Sequence, residues 1–572
     1  MHGAALLHNP LPVRASAAVA IVVVLAWPAL FWRLGHGPID RTMDGREALV
    51  IREMVRTGDL VLPLRNGEDV PHKPPFMHWL GAAVAHVRGG VVDEATVRMP
   101  SALATLAALL VTCGAVAATE GAGRGLGAAL VLLTTSSVSR HARESWVDPT
   151  LAAAVTAALA CAWSMLRRER VGGPRLYLFH ALVGVAFLAK GPVGLAVPAL
   201  ALLAFLWSTG RLALVRAFVR PTAVALLAAV VLPWYVAAFV RGGALFFRTQ
   251  VLTENLVRLV YGPEGSQPPW HFLGAMLSEA APWVFLLPFA LHRAWRARRA
   301  PTLETFALAW LVAPFLFFSA AAGKRDVYLL PLMPAVAILV TEWFFALAPW
   351  QPWRPNVTWT AAGLAAGVAA VLLGAEVGAA LGWLDPTFVA RVYRGFDREI
   401  VDPLRGALAE EPAAVAVALA CVPVAAALVA HAAGAGRPIA VLTALLLLHL
   451  PYVDVLKPLR WENHRNVHAL HRFAAAVRAA AGTRPIRYAG TGELSDLFFY
   501  LDRHVPRARC ARDFAACPPG LYLASDEVLA TVPAERRAAV RRLAESRALS
   551  DGRRANVVLV EVADGPAPSS GR

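Results

Sequence analysis

The chain has 572 residues, of which 57% are hydrophobic and 16% are charged, and its formal net charge is +16. Globular domains average roughly 25% charged residues, so this composition excludes a disordered, collagen-like or disulfide-scaffold protein. Apolar runs of about twenty residues, long enough to cross a bilayer core, recur from Ala15 to Leu456. The sequence therefore predicts a polytopic α-helical membrane protein whose basic residues flank the membrane and do not bind nucleic acid.

The hydropathy pattern predicts about thirteen transmembrane helices in a membrane domain that covers residues 1–456. The first span follows Arg14 and has no small-residue cleavage site, which favours a retained signal anchor over a removed signal peptide. The predicted spans are 16–32, 98–118, 125–139, 149–166, 176–189, 192–208, 222–240, 271–291, 303–319, 327–347, 359–383, 412–431 and 439–456. Residues 76–87 would make only about 18 Å of helix, so we expect an interfacial or re-entrant helix there.

The distribution of charge predicts which side of the membrane each loop faces. With the N-terminus inside, the cytoplasmic segments hold fifteen Arg and two acidic residues, whereas the opposite segments hold twenty basic and twenty acidic residues. This asymmetry is the positive-inside pattern. If residues 76–87 crossed the membrane, the Arg clusters would face outward, so the thirteen-span topology is favoured. It exports loops 33–97 and 241–270 and the C-terminus.

After Leu456 the pattern changes to short alternating strands and helices. It predicts a small periplasmic α/β domain over residues 457–562, followed by a disordered tail at 563–572. The predicted helices are 464–481, 493–503 and 534–547, and the predicted strands are 485–489, 521–524 and 556–562. Cys510 and Cys517 lie in this domain, where an oxidising compartment permits a disulfide. Flanking prolines disfavour a continuous helix through both cysteines, so we expect them to be bonded.

Ionisable residues collect at the exported ends of the predicted spans, where they are costly unless they pair or line a functional cavity. They are Asp44, Arg46, Lys73, Asp148, Lys190, Glu254, Lys324 and Arg325. Lys190 is the most informative, because Ala-Lys-Gly-Pro interrupts an apolar stretch from residue 176 to residue 207. A buried cation there requires an anionic partner. For each residue the alternative is ordinary interfacial charge.

An ordered series of motifs runs through residues 30–335. It includes Arg52-Glu53-Met54, Lys73-Pro74-Pro75, Arg98-Met99-Pro100, Asp148-Pro149, Ala189-Lys190-Gly191-Pro192, Glu254-Asn255-Leu256 and Pro282-Trp283. In this order the motifs resemble the bacterial aminoarabinose transferases of lipid A, which are similar to protein O-mannosyltransferases. The resemblance implies a GT-C glycosyltransferase of the bacterial inner membrane with a periplasmic active site. It implies a polyprenyl (undecaprenyl) phosphate sugar donor and, as acceptor, lipid A, another envelope glycan or a protein.

Two departures from the family pattern concern an acid and a metal. Many relatives carry an Asp-Glu pair upstream of Arg-Glu-Met, whereas this chain has Met43-Asp44-Gly45-Arg46, with one acid and a register that is ambiguous by one. Relatives commonly have Glu directly before Lys-Pro-Pro, where this chain has His72. His72 and His271 are therefore candidate ligands for a divalent metal such as zinc. The alternative is that both are structural, and the need for a metal stays open.

Sugar transfer from a lipid phosphate needs an activated acceptor hydroxyl and a stabilised leaving phosphate. Because the phosphate leaves as a weak base, one carboxylate and a cluster of cations are sufficient. We expect Asp44 to be the general base, and Asp148 to orient the acceptor or the base, or to cap the following helix. The residues expected to bind the donor phosphate are Lys73, Lys190, Arg46 and Lys324.

Two other classes of protein fit parts of the pattern. A transporter or flippase of a lipid-linked or anionic substrate would also place cations at membrane depth, but transport requires neither the long polar loop after the first span nor an exported domain. An inactive sugar-binding relative would account for the altered sequence around Asp44.

Overall fold

The computed structural model describes residues 15–35, 37–39, 42–262, 267–346, 378, 381–385, 467–490, 492–511, 514–546 and 557–563. Up to residue 346 the described chain is helical. Its α-helices are α1 (Ala15–Phe31), α2 (Thr42–Thr57), α3 (Phe76–Val87), α4 (Glu94–Glu120), α5 (Ala122–Leu133), α6 (Ser136–His141), α7 (Asp148–Leu166), α8 (Pro174–Lys190), α9 (Val193–Ser208), α10 (Val215–Phe218), α11 (Pro221–Phe246), α12 (Arg258–Val260), α13 (His271–Glu279), α14 (Leu287–Arg296), α15 (Leu303–Ala320) and α16 (Met333–Ala346). A π-helix (Phe247–Val257) and 3₁₀ turns at Leu212–Leu214, Trp283–Phe285 and Asp326–Leu332 connect them.

Among the described residues, five helical segments are long and apolar enough to cross a membrane. They are Glu94–Glu120, Asp148–Leu166, Pro221–Asn255, Leu303–Ala320 and Asp326–Ala346. Four of them contain a predicted span, and Asp326–Ala346 covers all but the last residue of the span predicted at 327–347. Helices α1, α8 and α9 match the spans predicted at 16–32, 176–189 and 192–208 to within two residues. One apolar core joins these helices. The spans predicted at 359–383, 412–431 and 439–456 lie outside the described residues, except for residues 378 and 381–383.

Two predicted spans are interrupted. The span at 125–139 divides into α5 and α6, because the hydroxyl of Thr134 donates to the Leu130 carbonyl at 2.7 Å and that of Thr135 donates to the Val131 carbonyl at 2.8 Å. Such side-chain bonds compete with the helical ladder. The span at 271–291 divides into α13, a 3₁₀ turn and α14 around Pro282, which has no backbone N–H to donate. Neither predicted span is one continuous helix in the structure.

The predicted exported loops contain ordered helices. Residues 76–87 form α3 as expected, and α2 precedes it within the segment predicted as loop 33–97. Within the segment predicted as exported loop 241–270, the chain kinks at Gly243 and continues as the π-helix and α12. The polar residues of this segment had hidden its helical spacing.

The described residues of the C-terminal part form the helices α17 (Val467–Ala481), α18 (Ser495–Leu501), α19 (Asp526–Ala530) and α20 (Ala534–Arg537), with a 3₁₀ turn at Phe514–Ala516. Its four strands are β1 (Ile486–Ala489), β2 (Gly520–Ser525), β3 (Val540–Glu545) and β4 (Val557–Val562), in the order β1-β2-β4-β3. Strand β2 is parallel to β1, and β4 is antiparallel to both β2 and β3. The predicted small α/β domain is thus present.

Two local predictions in this domain had opposite outcomes. The helix predicted at 534–547 was wrong beyond Arg537, because residues 540–545 pair with β4 as an edge strand, and this long-range pairing overrides local helical propensity. The Cys510–Cys517 disulfide is confirmed, with 5.2 Å between the Cα atoms.

The C-terminal domain packs against α2. Arg52 donates to the Phe499 carbonyl at 2.6 Å, and Asn66 exchanges two hydrogen bonds with the backbone of Val505, at 2.7 and 2.9 Å. The two segments approach so closely that a Cβ atom added to Gly45 would lie 2.4 Å from the Asp496 nitrogen. Glycine is therefore required at position 45 for this contact.

Candidate active site

A cavity of about 380 Å³ opens between α7, α8, α15 and the π-helix. Its apolar lining includes Leu151, Val193, Ala196, Phe317, Phe318 and Pro331. Its polar lining includes His72, Lys73, Asp148, Lys190, Glu254 and Arg258. The cavity can therefore hold an amphiphile that has an apolar chain and an anionic head group.

Lys190 and Asp148 form a buried ion pair in this cavity. Helix α8 ends at Lys190 because Gly191 adopts a φ of +75°, which most residues disfavour, and the chain turns there into α9. Asp148 is the first residue of α7, and its carboxylate accepts a hydrogen bond from Lys190 Nζ. Asp148 therefore supplies the anionic partner that a buried Lys190 requires. Its carboxylate accepts from Lys190 and does not cap α7, which was the alternative role predicted for it. The ring of Tyr328 lies 4.7 Å from the same Nζ atom.

Lys73 and Glu254 form the second ion pair, between the segment before α3 and the π-helix. Lys73 Nζ donates to Glu254 Oε2 at 2.6 Å, and Arg258 donates to Glu254 Oε1 at 3.1 Å. The side chain of Gln250 donates to the Lys73 carbonyl at 2.9 Å and so attaches this segment to the π-helix. π-Helical turns occur frequently at functional sites, and this one supplies Glu254 to the cavity.

A second, small cavity of about 20 Å³ lies against the first and shares Lys73, Asp148, Lys190, Arg258 and Tyr328 with it. Met43 and Glu47 of α2 line it from the other side. Glu47 Oε2 is 2.5 Å from Nε2 of His78, and both side chains are buried. Burial raises the pKa of Glu47, but the hydrogen bond with His78 and the positive charges of Lys73 and Arg65 outweigh it and hold that pKa below its usual range.

Three other predicted site residues lie outside both cavity linings. Asp44 is buried in the first turn of α2. Arg46 forms a bidentate pair with Glu493 of the C-terminal domain, with 2.7 Å from its Nε to each carboxylate oxygen. Lys324 donates to the carbonyls of Gln267, at 2.9 Å, and of Ala321.

The two histidines predicted as metal ligands have different surroundings. His72 lines the large cavity, with Nδ1 3.6 Å from Glu254 Oε1, and burial together with the Arg65 charge lowers its pKa to about 4. His271 Nε2 lies 2.8 Å from Asp326 Oδ1. Within the described residues, no group of three or more His, Cys, Asp or Glu side chains is arranged to hold a metal ion. The residues described therefore do not fit a metal site, and we derive no step through a metal.

Comparison with known proteins finds a family model and several relatives that are similar to part of this chain. Residues 72–236 match the model of the dolichyl-phosphate-mannose-protein mannosyltransferase family. Undecaprenyl phosphate-alpha-4-amino-4-deoxy-L-arabinose arabinosyl transferases from Aeromonas hydrophila and Sodalis glossinidius are 31% and 32% identical over 314 and 308 residues. The resemblance predicted from the ordered motifs is confirmed. These matches cover 54% and 52% of this chain and 56% and 54% of the relatives, so the chain spans little more than half the length of the curated relatives it matches.

The fold also has a solved counterpart. The crystal structure of ArnT from Cupriavidus metallidurans bound to undecaprenyl phosphate matches this chain with a TM-score of 0.69 and 22% sequence identity, over 96% of this chain and 99% of that one. The chain therefore shares the overall fold of that structure, and its C-terminal part contains a small four-stranded sheet.

Four residues that line or contact the two cavities were not predicted from the sequence. Glu47 lies one helical turn after Met43, and His78 lies within the short apolar stretch 76–87, so neither interrupts a span as Lys190 does. Arg258 is four residues after Glu254, a spacing that would have signalled their pairing if the segment had been predicted as helical. Tyr328 is uncharged and lies in an apolar segment, so no charge marks it in the sequence. Only the fold brings these residues to the cavities.

Proposed function

We propose that the protein is an integral-membrane glycosyltransferase that transfers a sugar from an undecaprenyl phosphate donor to a hydroxyl of lipid A, another envelope glycan or a protein. One observation carries the proposal: the large cavity combines Lys73, Lys190 and Arg258 with apolar walls. A polyprenyl phosphate has the matching chemistry, with an anionic group on a long apolar chain. The solved ArnT with bound undecaprenyl phosphate supports the assignment by its fold.

The ion pairs around the cavity suit phosphate binding. Asp148 and Glu254 hold Lys190 and Lys73 in place before the donor enters, so that the donor phosphate meets preorganised cations. The bond that breaks in sugar transfer leaves negative charge on this phosphate, and fixed cations in a water-poor site stabilise that charge strongly. Arg258 can add a bidentate contact, which the sequence had assigned to Arg46.

The proposed topology places the active site and the C-terminal domain in the periplasm, with thirteen spans in the bacterial inner membrane and α3 at the interface. The contacts of the two ends of α4 support it. At one end Tyr500 of the C-terminal domain donates to Glu94 at 2.9 Å, whereas at the other end Arg124 pairs with Glu120 and Glu342. The 27 residues of α4 separate these ends by about 40 Å. Arg124 and the C-terminal domain therefore contact opposite ends of α4, which supports the proposed topology.

A transfer assay with purified full-length protein tests this function. We expect the protein, given undecaprenyl phosphate-4-amino-4-deoxy-L-arabinose and lipid A, to release free undecaprenyl phosphate and to label the lipid A. Lys73→Ala combined with Lys190→Ala should abolish release, whereas Arg170→Ala, at an exposed position just beyond the C-terminal end of α7, should not. A transporter or an inactive relative would release none. Mass spectrometry of lipid A, envelope glycans and exported proteins from a deletion strain would then identify the natural acceptor.

A further inference from the structure

The small cavity presents one carboxylate that the sequence did not single out. Glu47 is on α2 and His78 is on α3, and the two residues are 6% and 1% exposed. Glu47 Oε2 lies 2.5 Å from His78 Nε2. Glu47 lines the small cavity together with Lys73, Asp148 and Lys190. It is thus a buried acid that faces the cations proposed to bind the donor phosphate.

The lining of the small cavity distinguishes Glu47 from Asp44. Position 47 lies about 40° around the axis of α2 from position 43, and position 44 lies about 60° from position 47 on the other side. Met43 and Glu47 both line the small cavity, and Asp44 does not. Asp148, the other acid in the lining, already accepts a hydrogen bond from Lys190. Glu47 is therefore the acid best placed to receive a proton.

The surroundings of His78 define how the pair is held. Its Nδ1 atom is buried and has no hydrogen-bond partner among the described residues. Its Nε2 atom lies 2.5 Å from Glu47 Oε2, where an Nε2–H can donate to the carboxylate. His78 therefore contacts Glu47 through Nε2 and fixes the orientation of its side chain.

We propose that Glu47 is a catalytic residue that accepts the proton of the acceptor hydroxyl, and that His78 is a positioning residue that orients it. The assignment rests on the glycosyltransferase function proposed above. The acceptor oxygen forms a bond to the anomeric carbon of the donor sugar, and the bond between that carbon and the phosphate oxygen breaks. The electron pair of this bond leaves with undecaprenyl phosphate, and the hydroxyl proton goes to Glu47.

The two cavities can hold the two reactants separately, with the acceptor hydroxyl in the small cavity and the donor phosphate in the large one. A volume of about 20 Å³ is enough for one water-sized group such as a hydroxyl, and the large cavity has room for the phosphate and its lipid. Lys73 and Lys190 line both cavities, so the reacting carbon can lie between the phosphate and the hydroxyl. The hydroxyl then has Glu47 within its own compartment.

Two variants test the assignment in the transfer assay with undecaprenyl phosphate-4-amino-4-deoxy-L-arabinose and lipid A. Glu47→Gln keeps the shape and is expected to lower kcat about 10²- to 10⁴-fold, the usual contribution of a general base, without weakening the binding of undecaprenyl phosphate. Glu68→Gln, an exposed acid between α2 and α3, is the matched control. Retention of more than about a tenth of the wild-type kcat by Glu47→Gln would overturn the proposal.

The pH profile separates positioning from a structural role for His78. His78→Asn removes the hydrogen bond that holds the pKa of Glu47 low, so the acid limb of the kcat profile should move to higher pH. An unchanged limb would overturn the assignment of His78. The other charged groups facing Glu47 stay in place in this variant; they are Lys73, Arg65, Asp148, Lys190, Arg258 and Arg325.

The remaining outcomes are also decisive. If Glu47→Gln misfolds, Glu47→Asp keeps the charge but shortens the side chain, and it should lower kcat with little change in KM, whereas unchanged kcat would count against the proposal. If Asp44→Asn abolishes transfer and Glu47→Gln does not, the base is Asp44. If the wild-type protein transfers no sugar while still binding undecaprenyl phosphate, both the glycosyltransferase function and this assignment fail.

Discussion

Glu493 of the C-terminal domain forms an ion pair with Arg46 of α2. The variant Glu493→Gln tests whether this contact stabilises the position of α2. Its two carboxylate oxygens share the single Nε–H of Arg46, with Nε 2.7 Å from each, and Oε2 also accepts a hydrogen bond from Arg46 Nη2. Arg65 Nη1 and Ser495 Oγ each donate one more at 2.7 Å. Arg46 lies on the same helix as Met43 and Glu47, so loss of these bonds would free the turn that lines the small cavity.

The magnitude follows from the pKa of Glu493. Burial raises this pKa, but the hydrogen bond from Arg46 and the positive charges of Arg65 and Arg46 outweigh burial and lower it from 4.5 to about 2. Each pKa unit corresponds to about 1.4 kcal/mol, so the ionised form is stabilised by about 3 kcal/mol. Glutamine keeps the shape and loses the charge. We therefore expect Glu493→Gln to lower the free energy of unfolding by about 2–3 kcal/mol near neutral pH.

The sign of the pH dependence is also defined. The pKa of Glu493 is lower in the folded protein than in the unfolded chain. The stabilisation by its charge is therefore complete above about pH 4.5 and is lost as the pH falls toward about 2. The difference between wild type and Glu493→Gln should therefore shrink over this interval. Other groups titrate there too, but they are common to both proteins and cancel in the difference.

Thermal unfolding of the purified proteins in detergent, followed at neutral and at acidic pH, measures this difference. Limited proteolysis adds a local readout, because Glu493→Gln should release the C-terminal domain faster. Glu527→Gln, at an exposed position of α19, is the control and should match wild type. Equal melting of Glu493→Gln and wild type at neutral pH would refute the reasoning.

Three further predictions concern the donor site, the topology and the disulfide. Lys190→Arg should lower kcat/KM by at least about tenfold in the transfer assay, because a planar guanidinium does not replace a point charge in a tight site. Unchanged kinetics would mean that Lys190 contributes only its positive charge and not a specific contact with the phosphate. An impermeant maleimide applied to spheroplasts should label Leu60→Cys but not Arg170→Cys, and labelling of the latter would mean that residues 76–87 cross the membrane. Alkylation of the non-reduced protein should leave Cys510 and Cys517 unmodified, and Cys510→Ser should cost about 2 kcal/mol in thermal unfolding.

Hydropathy predicted most span positions, because a helix in a bilayer must be apolar for its whole length and satisfies its own backbone hydrogen bonds. Helix α3 was predicted for the same reason, at its observed bounds of Phe76–Val87. Hydropathy did not predict the interruptions within apolar helices or the helix that is polar. The Thr134–Thr135 break and the Pro282 turn are small local features within otherwise apolar runs. The helix after Gly243 is polar because it faces the cavity.

The C-terminal domain shows a different limit. Its buried strands were predicted from their apolar residues, whereas Val540–Glu545 was predicted as helical because it carries two arginines and one glutamate. An edge strand exposes one side to solvent and can tolerate such residues, since its hydrogen bonds to β4 are what define it. No local property of this segment reports its pairing with residues 557–562, so the strand could not be found from the sequence alone.

The candidate site illustrates both limits together. Lys190 was found because a charge in an apolar run is conspicuous, and its partner Asp148 was found because it begins a span. Glu47 sits on a polar helix in which every acid looks equivalent, and only the face of α2 turned toward the cavity distinguishes it from Asp44. That face is set in turn by the C-terminal domain, through the close approach at Gly45. A domain more than 400 residues away in the chain thus orients the helix whose acid we propose as the base.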